Sequence, residues 1–307
     1  MYCVYKPFCL RFLYYGVIDM TGYKNYCLLE ELRGMVKVCI ILPTYNESMN
    51  IEKLLDHIFS EHHIKEYDAR SIQMNVLVVD DNSPDKTAEI VKRYQKKNPY
   101  VHLLSRKEKQ GLGAAYIHGM NHAMDNLGPH ILFEMDADLS HHPRYIIPMI
   151  EKVKSGADFV IGSRYVKGGS IPNNWGFVRT AISSVANTYS KLMLGLKDVH
   201  DCTGGFRAIR TSLLKNIDLM SLNVKGYVFQ ISLLNQVILL GGDIREVPIA
   251  FYDRTDGVSK MRYNDILEVG TVVFMMSLSK RLGRLSGNRS SLALERRSQV
   301  EKYLIRY

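Results

Sequence analysis

Cysteine is sparse and unpaired in this chain. Cys3, Cys9, Cys27, Cys39 and Cys202 are scattered over 307 residues without a C-x-x-C pair. That spacing suggests neither a zinc ribbon nor a disulfide framework, and a reducing compartment is the default. Long apolar runs are missing too. No segment approaches the roughly 20 apolar residues needed to span a bilayer. The nearest candidate is the uncharged run of eleven residues from Val269 to Ser279, long enough only for an interfacial or buried helix. The stretch from Phe8 to Tyr15 is interrupted by Arg11 and lacks a small-residue cleavage site, so it reads poorly as a signal peptide. No internal repeat or low-complexity tract is present.

What is there fits a globular protein, with 46% hydrophobic and 23% charged residues. The formal charge of +9 is unevenly placed. From Lys280 onward, eight Lys/Arg face two acids, a net of +6, and the first 34 residues carry four against three, a net of +1. The whole region between therefore holds only 9 − 6 − 1 = +2. A nucleic-acid binder more often spreads its basicity over the folded face, so no nucleic-acid partner is expected. Residues 1–34 show no sustained period and read as an N-terminal extension. The main folded domain is expected at 35–262, and 263–307 as an amphipathic helix with a basic tail.

From Val36 the pattern alternates between strand and helix. Val38 to Leu42, Val76 to Val79, Val101 to Leu104 and His130 to Phe133 are short apolar runs of buried-strand type. Between them fall helical patterns, one with Asn46 as its expected cap and one expected to start at Ser83-Pro84. Gly111-Leu-Gly113 opens another helix, and Pro143 a further one. Later come a strand over Asp158–Ile161, a helix from about Phe177 to Leu194, and a turn at Thr203-Gly-Gly-Phe-Arg207 that enters a short strand. A buried helix from Tyr227 to Leu240 and a strand from Ile244 to Phe251 complete the pattern. Such alternation predicts an α/β protein with a largely parallel sheet, whose ligands gather beyond the carboxyl ends of the strands.

Three polar clusters stand at such ends: Tyr45-Asn-Glu47, Asp80-Asp81 and Asp136-Ala-Asp138. A lone D-x-D is most often a solvated acidic turn. Here it follows a buried strand and is one of three clusters on the same sheet edge, which favours a hard divalent cation bound through carboxylate oxygens. Asp80 can close an Asx turn, while one carboxylate of the Asp80-Asp81 pair suits a base or ribose. Arg164, Arg179, Arg254 and Lys260 fall in expected loops or helix starts, where arginine can grip phosphate bidentately or simply form a surface ion pair. His141 and His142 are read as helix-start contacts rather than metal ligands, because a hard cation favours oxygen.

The ordered motifs Leu42-Pro-Thr-Tyr-Asn-Glu47, Val78-Val-Asp-Asp-Asn-Ser-Pro-Asp85 and Gly111 to Met120 resemble those of dolichol-phosphate (polyprenol-phosphate) mannosyltransferases in glycosyltransferase family 2. So do Met135 to Pro143, Gly162-Ser-Arg-Tyr165, Thr203 to Arg207, Gly226 to Gln230 and Asp253 to Lys260. The resemblance implies a GT-A (nucleotide-diphospho-sugar transferase) fold and inverting transfer of mannose from GDP-mannose to dolichyl or polyprenyl phosphate. It implies that Asp136 and Asp138 bind Mg²⁺ or Mn²⁺, with Asp138 and Arg254 as catalytic residues. Pro43, Tyr45, Glu47, Asp80, Asp81 and Lys260 would hold the sugar nucleotide; Arg164, Arg179 and Ser183 would receive the lipid phosphate. Some relatives have Gln where Ser140 stands, as a further metal-shell group, and others Arg where Ser184 stands. A peripheral location on the cytoplasmic face of a membrane is expected, the endoplasmic reticulum in a eukaryote or the plasma membrane in a prokaryote, with membrane-anchoring partner subunits possible. The alternatives are transfer of glucose from UDP-glucose to a polyprenyl phosphate and a non-catalytic nucleotide-binding subunit.

Overall fold

The computed structural model describes residues 34–172, 177–196, 198–222, 226–252, 270–275 and 277–278. Its centre is a seven-stranded sheet in the order β3-β2-β1-β4-β6-β5-β7. These are β1 (Val36–Thr44), β2 (Ile72–Asp80), β3 (Val101–Ser105), β4 (Ile131–Glu134), β5 (Phe159–Ser163), β6 (Arg207–Arg210) and β7 (Ile244–Pro248). All run parallel except β6, which is antiparallel to both neighbours, β4 and β5. The expected mainly parallel sheet is therefore present. The reversal of β6 puts its N-terminal loop, Thr203–Phe206, at the edge where the parallel strands end.

The central strands are buried on both faces because helices cover both. Along β1 the side chains alternate: Val38, Ile40 and Leu42 enter one core, Cys39 and Ile41 the other. The first core receives α1 (Ile51–Ile58), α2 (Glu61–Ala69), α3 (Thr87–Gln95) and α5 (Ile146–Lys154). The second receives α4 (Leu112–Asn126), the end of α6 (Phe177–Leu194), α7 (Thr211–Leu214) and α8 (Gly226–Leu239). The close seating of α4 depends on Gly119: a Cβ there would stand 2.7 Å from Ile41 Cγ2 and 2.9 Å from Val79 Cγ2.

Two expected helix starts are corrected. Asn46 is not a cap but a residue with φ 62°, and α1 begins only at Ile51. Ser83 does not begin a helix at Pro84; α3 starts at Thr87, whose N–H and hydroxyl are taken by Asp85. Local propensity lost at both places to hydrogen bonds between strand-end loops. The helix α2 went unread because its apolar positions are few; only His63 and Tyr67 are buried.

Candidate active site

The sheet order makes β2, β1 and β4 adjacent, so the three polar clusters stand side by side at their carboxyl ends. Five non-glycine residues among those described have positive φ, and four of them, Asn46, Asn82, Lys86 and Leu139, lie in these same loops. Strained backbone of this kind persists where surrounding contacts over-determine it, commonly at functional sites.

The β1 and β2 loops are laced together. Asp80 accepts from Thr44 Oγ1 (2.9 Å), Ser83 N (3.0 Å) and Ser83 Oγ (2.6 Å), so its carboxylate closes the strand ends. Ser83 Oγ in turn accepts from Asn46 N, and Thr87 Oγ1 from Glu47 N. Glu47 Oε2 accepts from Asn50 Nδ2 at 2.9 Å. Asp81 points elsewhere, into a buried ion pair with Arg106 Nε at 2.9 Å. Burial pushes the Asp81 carboxyl up, against the pull of Arg106. Lys109 Nζ lies 3.9 Å from the centroid of the Tyr45 ring. Pro43 is half-buried at the end of β1, opposite Val79. A ring, a carboxylate and two cations thus stand together on the β1–β3 side of the strand-end edge.

The Asp-Ala-Asp step continues β4. Asp138 is 5% exposed and one of its oxygens accepts from Ser140 N at 3.1 Å. Asp136 is more open, its side chain 30% exposed, and Tyr116 Oη donates to it at 3.4 Å. Burial keeps the Tyr116 phenol protonated, well above its ordinary range. His141, expected with His142 to be a helix-start contact, instead reaches back to the Asp-Ala-Asp backbone, and the helix-start role falls to His142 alone. His141 Nδ1 accepts from Asp136 N at 3.0 Å, which places the ring proton on Nε2. The ring stacks on Phe206 (centroids 5.0 Å apart) and meets Phe251 edge-on (5.4 Å). Burial pushes its pKa down, so it stays neutral. His142 does what was expected of it, accepting from Arg144 N at the start of a 3-10 turn.

Two carboxylates at a strand end, with the buried Ser140 hydroxyl two residues beyond Asp138, fit a hard cation that shares its shell with substrate phosphate oxygens. Among the described residues no group of three His, Cys, Asp or Glu forms an all-protein cage. This is the donor set that Mg²⁺ or Mn²⁺ takes on a nucleotide diphosphate.

On the other side, Arg164 follows β5. Its Nε and Nη2 donate to the two Asp201 oxygens, each at 2.7 Å, and Nη2 also reaches Thr203 Oγ1 at 2.9 Å. Tyr165 Oη is 2.8 Å from Ser183 Oγ on α6, and the Arg164 guanidinium lies 5.3 Å from the centroid of the same tyrosine ring, so one tyrosine stands between two of the expected phosphate ligands. The backbone of Arg179 lies on the same helix. Arg254 and Lys260 lie outside the described residues, as does the Arg179 side chain. Arg106, Lys109, Tyr116, Tyr165 and Asp201 were not singled out from sequence; Tyr116 and Tyr165 lie inside quoted motifs, Lys109 and Asp201 two residues before one, and Arg106 carries no such signal.

The fold and this edge define a nucleotide-sugar transferase of GT-A type. The chain belongs to glycosyl transferase family 2, whose pattern matches residues 39–218. It is 40% identical over 257 residues to the polyprenol monophosphomannose synthase of Mycolicibacterium smegmatis, covering 83% of this chain and 92% of that protein. It is 41% identical over 226 residues to the undecaprenyl-phosphate mannosyltransferase of Micrococcus luteus, covering 74% and 88%. Among solved structures, glucosyl-3-phosphoglycerate synthase from Mycobacterium tuberculosis, in complex with Mn²⁺, UDP and glucosyl-3-phosphoglycerate, shares the fold. The TM-score is 0.57 at 19% identity, with 83% of each chain covered.

Proposed function

We propose that this glycosyltransferase moves mannose from GDP-mannose to a polyprenyl monophosphate, with inversion at the anomeric carbon. One observation carries the reading: the Asp136/Asp138 pair and the Tyr165-bridged Arg164/Ser183 group share one strand-end edge, with His141 and Phe251 between them. A donor diphosphate on one side and an acceptor phosphate on the other can then approach each other in line. The names of the two mannosyltransferase relatives, which this chain matches over most of their length, support the same acceptor class.

The chemistry needs no protein base. The second pKa of a phosphate monoester is near 6, so the acceptor is largely dianionic at neutral pH. One acceptor oxygen bonds the mannose anomeric carbon as the bond from that carbon to the β-phosphate oxygen breaks. GDP leaves with the electron pair and no proton moves. Asp136 and Asp138 would hold Mg²⁺ or Mn²⁺, which when bound neutralises charge on the leaving diphosphate. Tyr45, Asp81 and Arg106 orient the nucleotide, and Arg164 with Ser183 orients the acceptor; such placement is the larger part of catalysis here.

No helix among the described residues is long and apolar enough to cross a membrane. In this reading the protein meets its lipid substrate peripherally, at the cytoplasmic face, alone or with anchoring subunits. Purified protein with labelled GDP-mannose, polyprenyl phosphate and Mg²⁺ should give labelled polyprenyl phosphomannose, and EDTA should stop it. Equal or better transfer from UDP-glucose would replace this reading with its rival.

A further inference from the structure

Arg164 and Ser183 come from separate elements, yet a closed circuit of contacts fixes their relation. On one path, Tyr165 next to Arg164 reaches Ser183 of α6 directly. On the other, Arg164 is held by Asp201, which is fully buried and also accepts from Arg164 N at 3.1 Å. The loop carrying Asp201 is clamped from two sides. Glu246 of β7 accepts from His200 N (2.9 Å) and Asp201 N (3.0 Å). Asn187 of α6 accepts from Cys202 N at 2.8 Å and donates to the His200 carbonyl. So α6 is tied to Arg164 both through Tyr165 and through the Asp201 loop.

We propose that Asp201 is the positioning residue of the acceptor-phosphate site, fixing the plane of the Arg164 guanidinium so that Arg164 and Ser183 address one phosphate together. The inference rests on the acceptor role given to Arg164 above. Side-on engagement through Nε and Nη2 removes the rotations an arginine otherwise samples, and a pre-set fork loses less freedom when phosphate arrives. The cost is electrostatic: Asp201 offsets the charge that would attract the phosphate. Orientation and attraction therefore predict opposite outcomes when Asp201 is neutralised, which makes the idea testable.

The experiment compares wild type, Asp201→Asn, Arg164→Ala and the double variant with farnesyl monophosphate as acceptor and GDP-mannose as donor. Asp201→Asn should raise the acceptor KM on the order of tenfold, the scale of losing one well-placed hydrogen bond to a charged group, while the donor KM stays within about twofold. In the Arg164→Ala background the same change should add nothing, because Asp201 acts through Arg164. An unchanged or lowered acceptor KM in Asp201→Asn overturns the inference, as does an equal rise with and without Arg164. If Arg164→Ala alone leaves the acceptor KM unchanged, the acceptor role of Arg164 falls and the inference with it. If no transfer from GDP-mannose occurs, calorimetric binding of farnesyl monophosphate to the same four proteins makes the comparison. Should Asp201→Asn not fold, Thr203→Val removes the other partner of Nη2 and should shift the acceptor KM in the same direction.

Discussion

Glu134 and Arg207 stand directly opposite each other across the antiparallel β4–β6 pair, 3.9 Å apart, with neither side chain exposed. Arg207 also donates to the carbonyls of Gly204 (2.8 Å), Gln230 (2.7 Å) and Cys202 (3.1 Å). One guanidinium thus ties the Thr203–Phe206 loop and α8 to the strand that delivers Asp136. Arg207→Met should destabilise the fold by about 3–5 kcal/mol, because it strands a buried acid and three carbonyls. Urea unfolding midpoints measure this, and Glu134→Gln combined with Arg207→Met should cost less than the sum of the two singles.

The same pair sets a pH dependence. Burial pushes the Glu134 carboxyl up to about 7, against the pull of Arg207, from an ordinary value of 4.5. Between those values the folded protein holds more protons than the unfolded chain, so this group makes stability fall as pH rises through the window. Glu134→Gln should remove that slope from unfolding curves taken across the window. A slope that survives the substitution would assign it to other groups.

Asp201 contributes the opposite sign. Burial acts to raise its carboxyl, yet the Arg164 guanidinium and its hydrogen bonds hold it below the ordinary 3.8. Its stabilisation is present above that value and is lost as pH falls through the lower, folded-state pKa. The stability gap between wild type and Asp201→Asn should stay constant near neutrality and close only in strong acid.

For the donor side, Asp138→Ala should abolish most transfer even with excess Mg²⁺, since the carboxylate is both buried and held in place by Ser140 N. Near-normal turnover of that variant would sink the metal-site assignment. Weaker Mn²⁺ binding to the GDP complex, read by electron paramagnetic resonance, supplies a check independent of turnover.

At the helix–sheet contact, Gly119→Ala should cost about 1–3 kcal/mol, the usual range for overpacking a tight core. The added Cβ meets Ile41 and Val79 at 2.7 and 2.9 Å, and both neighbours are themselves fully buried. The melting temperature should drop while family-typical secondary structure, followed by circular dichroism, is retained.

The sequence alone determined the strands and the acidic clusters at their ends, because both are local. Alternating burial along Val38 to Leu42 is a period of two, and Asp136-Ala-Asp138 needs only the strand before it. Even the helix from Phe177 to Leu194 was legible, with its observed ends. A helix start at Asn46 is not formed because its N–H serves Ser83 Oγ across 37 positions, and one at Ser83 is not formed because Asp80, the end of the preceding strand, takes both its N–H and its hydroxyl. The pairing of Arg164 with Asp201 likewise spans 37 residues. It exists only because β6 reverses direction and brings its N-terminal loop to the edge where β5 ends. Periodicity records which residues are buried; which buried charges meet is decided by strand order and direction, and those belong to the tertiary structure.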